Sequence, residues 1–133
     1  MHADKSIRLR EDLDQVDLGC NVDPFSISQV WRNILENAIQ VSADHAQITI
    51  QCAESTIDGG AAVRIRFLDE GPGMTADQRE RVFEPFFTTK TKGTGLGMAI
   101  AQRIVSSHGG RISVADREGP GAEIVVMLPR GTE

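Results

Sequence analysis

Cysteine is scarce in this chain. Its 133 residues hold two, Cys20 and Cys52, too few for a disulfide framework and without metal-ligand spacing. Cys52 alternates with Ile48 and Ile50, which marks it as a core thiol and points to a reducing compartment. Long apolar runs are missing as well. Signal peptide and membrane span are absent, so this segment is expected to make no membrane contact and to work in the cytoplasm. Any membrane sensor is expected to lie outside it. Positive charge is in deficit: 14 Lys and Arg stand against 19 Asp and Glu, a net charge of −5. A surface-wide nucleic-acid partner is thereby excluded, and any phosphate site must be local. Internal repeats and low-complexity tracts are missing too.

What is present suits one soluble domain spanning 1–133. Apolar residues make up 40% and charged residues 25%, enough for one sizeable core. Ser6 to Arg10 alternates as a short edge strand, with 1–10 read as that strand or as an arbitrary starting point. Asp23-Pro24 is read as a chain break, and Ser26 or Ser28 as the cap of a helix to about Val41. Its apolar face is Ile27, Val30, Ile34, Ala38 and Val41. Ala46 to Ala53 and Ala62 to Leu68 alternate as strands around an Asp58-Gly59-Gly60 turn. A short helix is predicted over Ala76 to Val82 and a longer one over Leu96 to Ser107, stopped by Gly109-Gly110. Two last strands, Arg111 to Ala115 and Ala122 to Leu128, flank Gly119-Pro120-Gly121. The sum is an α+β two-layer sandwich: a mixed, mostly antiparallel sheet of about five strands with about three helices on one face.

Four polar clusters fall at element ends. Asn33 and Asn37 share one helix face beside Ile34 and Ala38, with Glu36 between them. Asparagine is a mediocre helix former, so the pair is either solvated or functional, an amide oxygen being a hard ligand suited to Mg²⁺. Asp69-Glu70-Gly71-Pro72-Gly73-Met74 sets a carboxylate at the end of an apolar strand. The motif is an ordinary turn or an adenine reader: the carboxylate accepts from the base's exocyclic amine, where guanine offers an oxygen. Gly71 and Gly73 permit positive φ and close approach to a flat ring. Phe83-Glu84-Pro85-Phe86-Phe87-Thr88-Thr89-Lys90 brings three phenylalanines into a loop ahead of Lys90 and Lys92. It is a hydrophobic plug, a nucleotide lid over 84–97, or both. Gly93-Thr94-Gly95-Leu96-Gly97-Met98 runs into a helix and is neither a Walker A loop nor a dinucleotide fingerprint. It still bares peptide N–H groups at a helix N-terminus, a ready anion site.

In this order the four clusters resemble the N, G1, F and G2 boxes of the histidine-kinase catalytic domain, over roughly Ser26 to Pro129. His108-Gly109-Gly110 and a last strand ending Leu128-Pro129 resemble that family's tail. The Glu84 to Lys90 stretch is similar to the nitrogen-regulatory and metal- or metabolite-sensing branch. The resemblance implies the Bergerat ATP-binding fold, with ATP and Mg²⁺ as cofactors. It implies Asn37 as the metal ligand, Asp69 for the adenine amine, and Lys90 as the catalytic lid contact to the terminal phosphate. Gly95, Leu96 and Gly97 would offer N–H groups to the phosphates, and Gln40 and Val41 would line the nucleotide site. Asn33, Gly71, Gly73, Met74, Phe86, Thr94 and Met98 complete the implied binding set.

Asn33 stands where gyrase-like and mismatch-repair relatives carry a water-activating glutamate. An amide is no general base, so transfer to a protein side chain is favoured over hydrolysis. Gln40 stands where many relatives carry a charge, and Ala122, Glu123 and Ile124 replace a hydroxyl pair and a phenylalanine. The phosphoacceptor box is missing, and His108 reads as a helix-end residue. The implied partners are therefore a histidine-bearing dimerisation domain, expected just upstream in a longer parent, and through it a response regulator. The isolated domain is expected to be monomeric. The competing expectations are a free-standing anti-sigma-factor serine kinase and a nucleotide-binding module without transfer activity.

Overall fold

A computed structural model describes residues 8–13, 22–41, 47–87, 96–116 and 121–130, and of 8–13, 40 and 41 the backbone only. In chain order the elements are β1 (Arg8–Leu13), α1 (Pro24–Val41), β2 (Gln47–Ile57), β3 (Gly60–Leu68), α2 (Ala76–Arg81), α3 (Gly97–Ser107), β4 (Arg111–Val114) and β5 (Glu123–Pro129). The strands form one five-stranded sheet in the order β1-β2-β3-β5-β4. β1 runs parallel to β2 along an edge, and the other pairings are antiparallel. The mixed two-layer α+β sandwich read from the pattern is thus the fold observed.

The core lies between the sheet and the helices. Ile27, Val30 and Ile34 of α1 meet Met98, Ala101 and Val105 of α3 above Val63, Ile65, Phe67, Ile124, Val126 and Leu128. These positions recur at helical spacing in the helices and at alternate residues in the strands. Trp31 stacks at a tilt on Phe67, with ring centroids 5.6 Å apart. α2 contributes no buried side chain; Val82, which follows it, enters the core.

The start of α1 corrects the reading of Asp23-Pro24 as a break capped later by serine. The helix begins at Pro24, and Asp23 caps it. Its Oδ2 accepts from the Ser26 amide at 3.2 Å and the Ser26 hydroxyl at 2.5 Å. Proline suits the first helical position, where no amide hydrogen is needed. These Ser26 hydrogen bonds, the hydroxyl's first, hold the Asp23 carboxyl below its usual range. A lowered folded value contributes stability that is present above the unfolded value and fades as pH falls through the folded one. Asp23→Ala should therefore lower Tm at pH 7, and the gap to wild type should close below about pH 4 in pH-resolved melting.

β2 and β3 run longer than the alternation suggested, because their hairpin is a two-residue turn. Asp58 (φ 50°) and Gly59 (φ 84°) are both left-handed, as a type I′ turn requires. Arg111 donates to both Asp58 carboxylate oxygens, at 2.8 and 2.9 Å.

His108 caps the C-terminus of α3, as expected of a helix-end residue. The Gly110 amide reaches back to the Val105 carbonyl and the Gly109 amide to that of Ser106, with Gly109 at φ 76°. This is a Schellman stop. His108 Nε2 accepts from the Asp23 amide at 3.0 Å while Nδ1 sits 2.8 Å from the Ile104 carbonyl. One imidazole so joins the end of α3 to the start of α1. A Cβ on Gly110 would collide with the Met127 carbonyl and crowd Leu128 and Val105 at 3.0 Å. Gly110→Ala should destabilise the domain by about 3 kcal/mol or more, read from urea unfolding.

Candidate functional site

α1 and α3 pack antiparallel, since Asp23 meets His108 at one end and Asn33 meets Gly97 towards the other. The far end of the sandwich therefore collects the last turns of α1, the first turn of α3, the start of β2, the end of β3 and the start of β5. Described parts of three polar clusters, Asn33 to Asn37, Asp69 to Met74 and Leu96 to Met98, sit on or directly beside these segments, while Phe83 to Phe87 follows α2.

Asp69 is the anchor. It follows β3 and is the one buried charged residue among those described, 6% exposed. Its Oδ1 accepts from the Gly71 amide at 2.8 Å and the Ala122 amide at 3.1 Å. Its own amide donates to the Ala122 carbonyl at 3.0 Å. Oδ2 takes no protein hydrogen bond among the described residues, so one oxygen is fixed and the other remains for a donor. From the sequence, Ala122 reads as the head of the last strand and as a lost hydroxyl. Its backbone, not its side chain, orients the carboxylate, and no side-chain signal announces that.

The loop after Asp69 is tied at several points. Glu70 Oε1 accepts from the Gln47 amide at 3.0 Å, joining the loop to the head of β2. Gly73 has φ 81° and lies so close to Gly121 that a Cβ would stand 2.9 Å from its carbonyl oxygen. Gly71 is buried but not left-handed, so the positive-φ expectation holds for Gly73 and not for Gly71. Met74 is half-buried and packs on the core edge. At the head of β5, Arg66 Nε donates to Glu123 at 2.7 Å and Nη1 to Gln51 at 2.8 Å. The Glu123 carboxylate raises the Arg66 guanidinium above its ordinary value. This outer-face bracket steadies the segment that presents Ala122, a role the sequence did not signal for Glu123.

On α1, Asn33 and Asn37 are both half-buried. Asn33 Nδ2 donates to the Gly97 carbonyl at 3.0 Å, so this amide braces the first turn of α3. Leu96 precedes that turn without a side-chain cap, and Met98 is buried in the core. Gln40 and Val41 belong to the last turn of α1, and their side chains lie outside the described residues.

The three phenylalanines divide. Phe83 packs on the core, and Phe87 lies under the Arg81 guanidinium, 4.6 Å from its carbon. Phe86 is 74% exposed and left-handed at φ 70°, so it does not grip the body as a plug would. Thr88, Thr89, Lys90, Lys92, Gly93, Thr94 and Gly95 lie outside the described residues.

Residues 22–132 match the sequence profile of the histidine kinase-, DNA gyrase B- and HSP90-like ATPases. The chain belongs to this ATPase family. Within the family it is similar to histidine kinases. It is 42% identical over 125 residues to the sensor histidine kinase ZraS of Escherichia coli O157:H7, covering 94% of this chain and 26% of ZraS. The catalytic domain of the histidine kinase ThkA superposes with a TM-score of 0.81 at 34% identity, covering 93% of this chain and 79% of that one. ThkA in complex with the response regulator TrrA superposes at 0.77 and 29% identity, covering 94% and 34%. Full-length ShkA in complex with AMPPNP does so at 0.77 and 30% identity, covering 99% and 27%. The ATPase chain is thus a catalytic domain of the histidine-kinase type, and it spans about a quarter of the length of ZraS. No helix among its described residues is long and apolar enough to cross a membrane.

Proposed function

We propose that this chain binds ATP with Mg²⁺ and donates the γ-phosphoryl group to a histidine on a separate dimerisation domain, in two-component signalling. The observation that carries the reading is Asp69: one oxygen held by two backbone amides, the other without a protein partner among the described residues. That oxygen suits the exocyclic amine of adenine. Guanine would set an oxygen against it and leave a buried carboxylate unpaired. The AMPPNP bound by ShkA supports the nucleotide class, and the response regulator bound by ThkA supports the pathway class.

The donor set fits Mg²⁺. Among the described residues no three His, Cys, Asp or Glu side chains gather into a metal cage. Mg²⁺ is commonly held by one or two protein oxygens, with phosphates and water completing the shell. The Asn37 amide oxygen, one turn from Asn33 on the same face, is the ligand in this reading. The metal would neutralise charge on the phosphates. Asp69 fixes the base, with Gly71, Gly73 and Met74 beside it. The peptide groups of Gly95, Leu96 and Gly97 receive the phosphates, with Thr94 and Met98 flanking them, and Gln40 and Val41 line the site. Lys90 meets the terminal phosphate from a lid over 84–97, and Phe86 stands at its base. Asn33 holds α3 in place and cannot take a proton from water, which favours transfer over hydrolysis. In the transfer the γ-phosphorus gains a bond to the imidazole nitrogen, its bond to the β-phosphate oxygen breaks, and ADP leaves.

We take 1–133 as one cytoplasmic domain, monomeric alone. The test is incubation with γ-labelled ATP and an added histidine-bearing dimerisation domain of the parent kinase. Label on that domain that acid removes is the expected result. Acid-stable label on a serine, or no label despite bound ATP, would overturn the reading.

A further inference from the structure

Arg79 has no part in the reading above, yet one guanidinium arm bonds the end of the Asp69 loop and the other faces the connection between β4 and β5. Nη1 donates to the Met74 carbonyl at 3.1 Å, and Nη2 lies 3.6 Å from Asp116 Oδ1. Met74 closes the loop that Asp69 opens. Asp116 lies on the connection between β4 and β5, the connection that returns to give Asp69 the Ala122 amide and to bring Gly121 against Gly73. The first end of the loop is thus tied to the β4–β5 connection through Asp69, and the last end to α2 through the Arg79–Met74 hydrogen bond.

Arg79 is itself held firmly. Its helix starts in a reciprocal capping box between Thr75 and Gln78, with bonds of 2.9 and 3.1 Å. Its side chain is 24% exposed, while Asp116 is 85% exposed. The Asp116 contact is thus a solvent-screened pair, and the Met74 hydrogen bond is the one that sets loop position. A planar fork can serve two acceptors at fixed geometry, where an ammonium serves one as a point charge.

Resting on the reading of Asp69 as the adenine anchor, we infer that Arg79 is a positioning residue for base selection. It fixes the Met74 end of the loop so that the base plane stays aligned with Asp69 Oδ2. A plain surface arginine supporting α2 would instead affect stability and every nucleotide alike.

The test compares Kd for ATP and GTP in the full chain. Arg79→Met keeps the apolar stem and removes all donors. The ratio Kd(GTP)/Kd(ATP) should fall about fivefold, because ATP binding weakens while GTP binding hardly changes. Arg79→Lys should recover at least half of the lost ratio. An unchanged ratio in Arg79→Met, parallel weakening of both nucleotides, or Arg79→Lys no better than Arg79→Met would overturn the inference. Should Arg79→Met fail to fold, nitrogen NMR of the wild-type guanidinium decides. Adenosine alone should slow rotation of the Arg79 side-chain groups and tripolyphosphate should not; no response to adenosine would overturn it. Wild type without preference for ATP over GTP would instead sink the reading of Asp69 itself.

Discussion

Asp69→Asn should weaken ATP binding about 100-fold, which corresponds to about 2.7 kcal/mol. The carboxylate has one oxygen tied to the Gly71 and Ala122 amides. An asparagine side chain in the same pose keeps that oxygen in place and turns its NH₂ towards the base. Donor then faces donor in a buried setting, and the loss includes the desolvation of groups left unpaired. Flipping the amide instead sets NH₂ against two backbone N–H groups, which is worse for the fold. The readout is displacement of a fluorescent ATP analogue. GTP, whose exocyclic carbonyl oxygen accepts, should lose far less or gain, so base preference narrows or reverses. Retained ATP affinity with retained preference would remove Asp69 from the account.

The second large effect is expected at Asn37. Asn37→Ala should reduce phosphoryl transfer to the dimerisation domain by about 10³-fold, the scale of removing an electrostatic stabiliser of the transition state. ATP affinity measured in EDTA should change little, because the base contact does not involve the metal. That split between transfer and metal-free binding distinguishes a metal ligand from a helix-packing amide. Asn33→Ala makes the contrast: it removes the hydrogen bond to Gly97 and should loosen α3, weakening phosphate contacts without abolishing transfer.

Much of this was legible in the residues. Apolar spacing located the two long helices and the strands among the described residues within a few positions, because periods of 3.6 and 2 follow directly from backbone geometry. The two-residue turn at Asp58-Gly59 announced the hairpin through glycine chemistry. Asp69 was legible as a carboxylate closing an apolar strand before a glycine-rich turn, though an ordinary turn shares that pattern. The misreading of Asp23-Pro24 has a simple cause: proline both ends and begins helices, and only position relative to the cap separates the two cases.

What stayed hidden was mostly backbone. The Ala122 amide and the Gly73–Gly121 approach carry no side-chain signature, since any residue has a peptide N–H and close approach depends on a distant segment. Arg79 and Glu123 were hidden for another reason. Arginine on a short exposed helix and glutamate on a strand are ordinary surface choices until the fold brings Met74 and Arg66 alongside. For Asn33, placed in the binding set by resemblance, the hydrogen bond from its NH₂ group to the Gly97 carbonyl could not be read from the sequence. Sequence spacing gives the face of a helix but not which neighbour answers it.

The central claim is that one bound nucleotide spans the far end of the sandwich, with its base at Asp69 and its metal at Asn37. Mg²⁺-ATP titration followed by NMR tests this directly. A single midpoint is predicted at which the Gly71 and Ala122 amides and the Asn37 side-chain NH₂ signal all shift, the Asn37 shift being lost when Mg²⁺ is withheld. Amide shifts without any Asn37 response to Mg²⁺, or two separate midpoints, would contradict it.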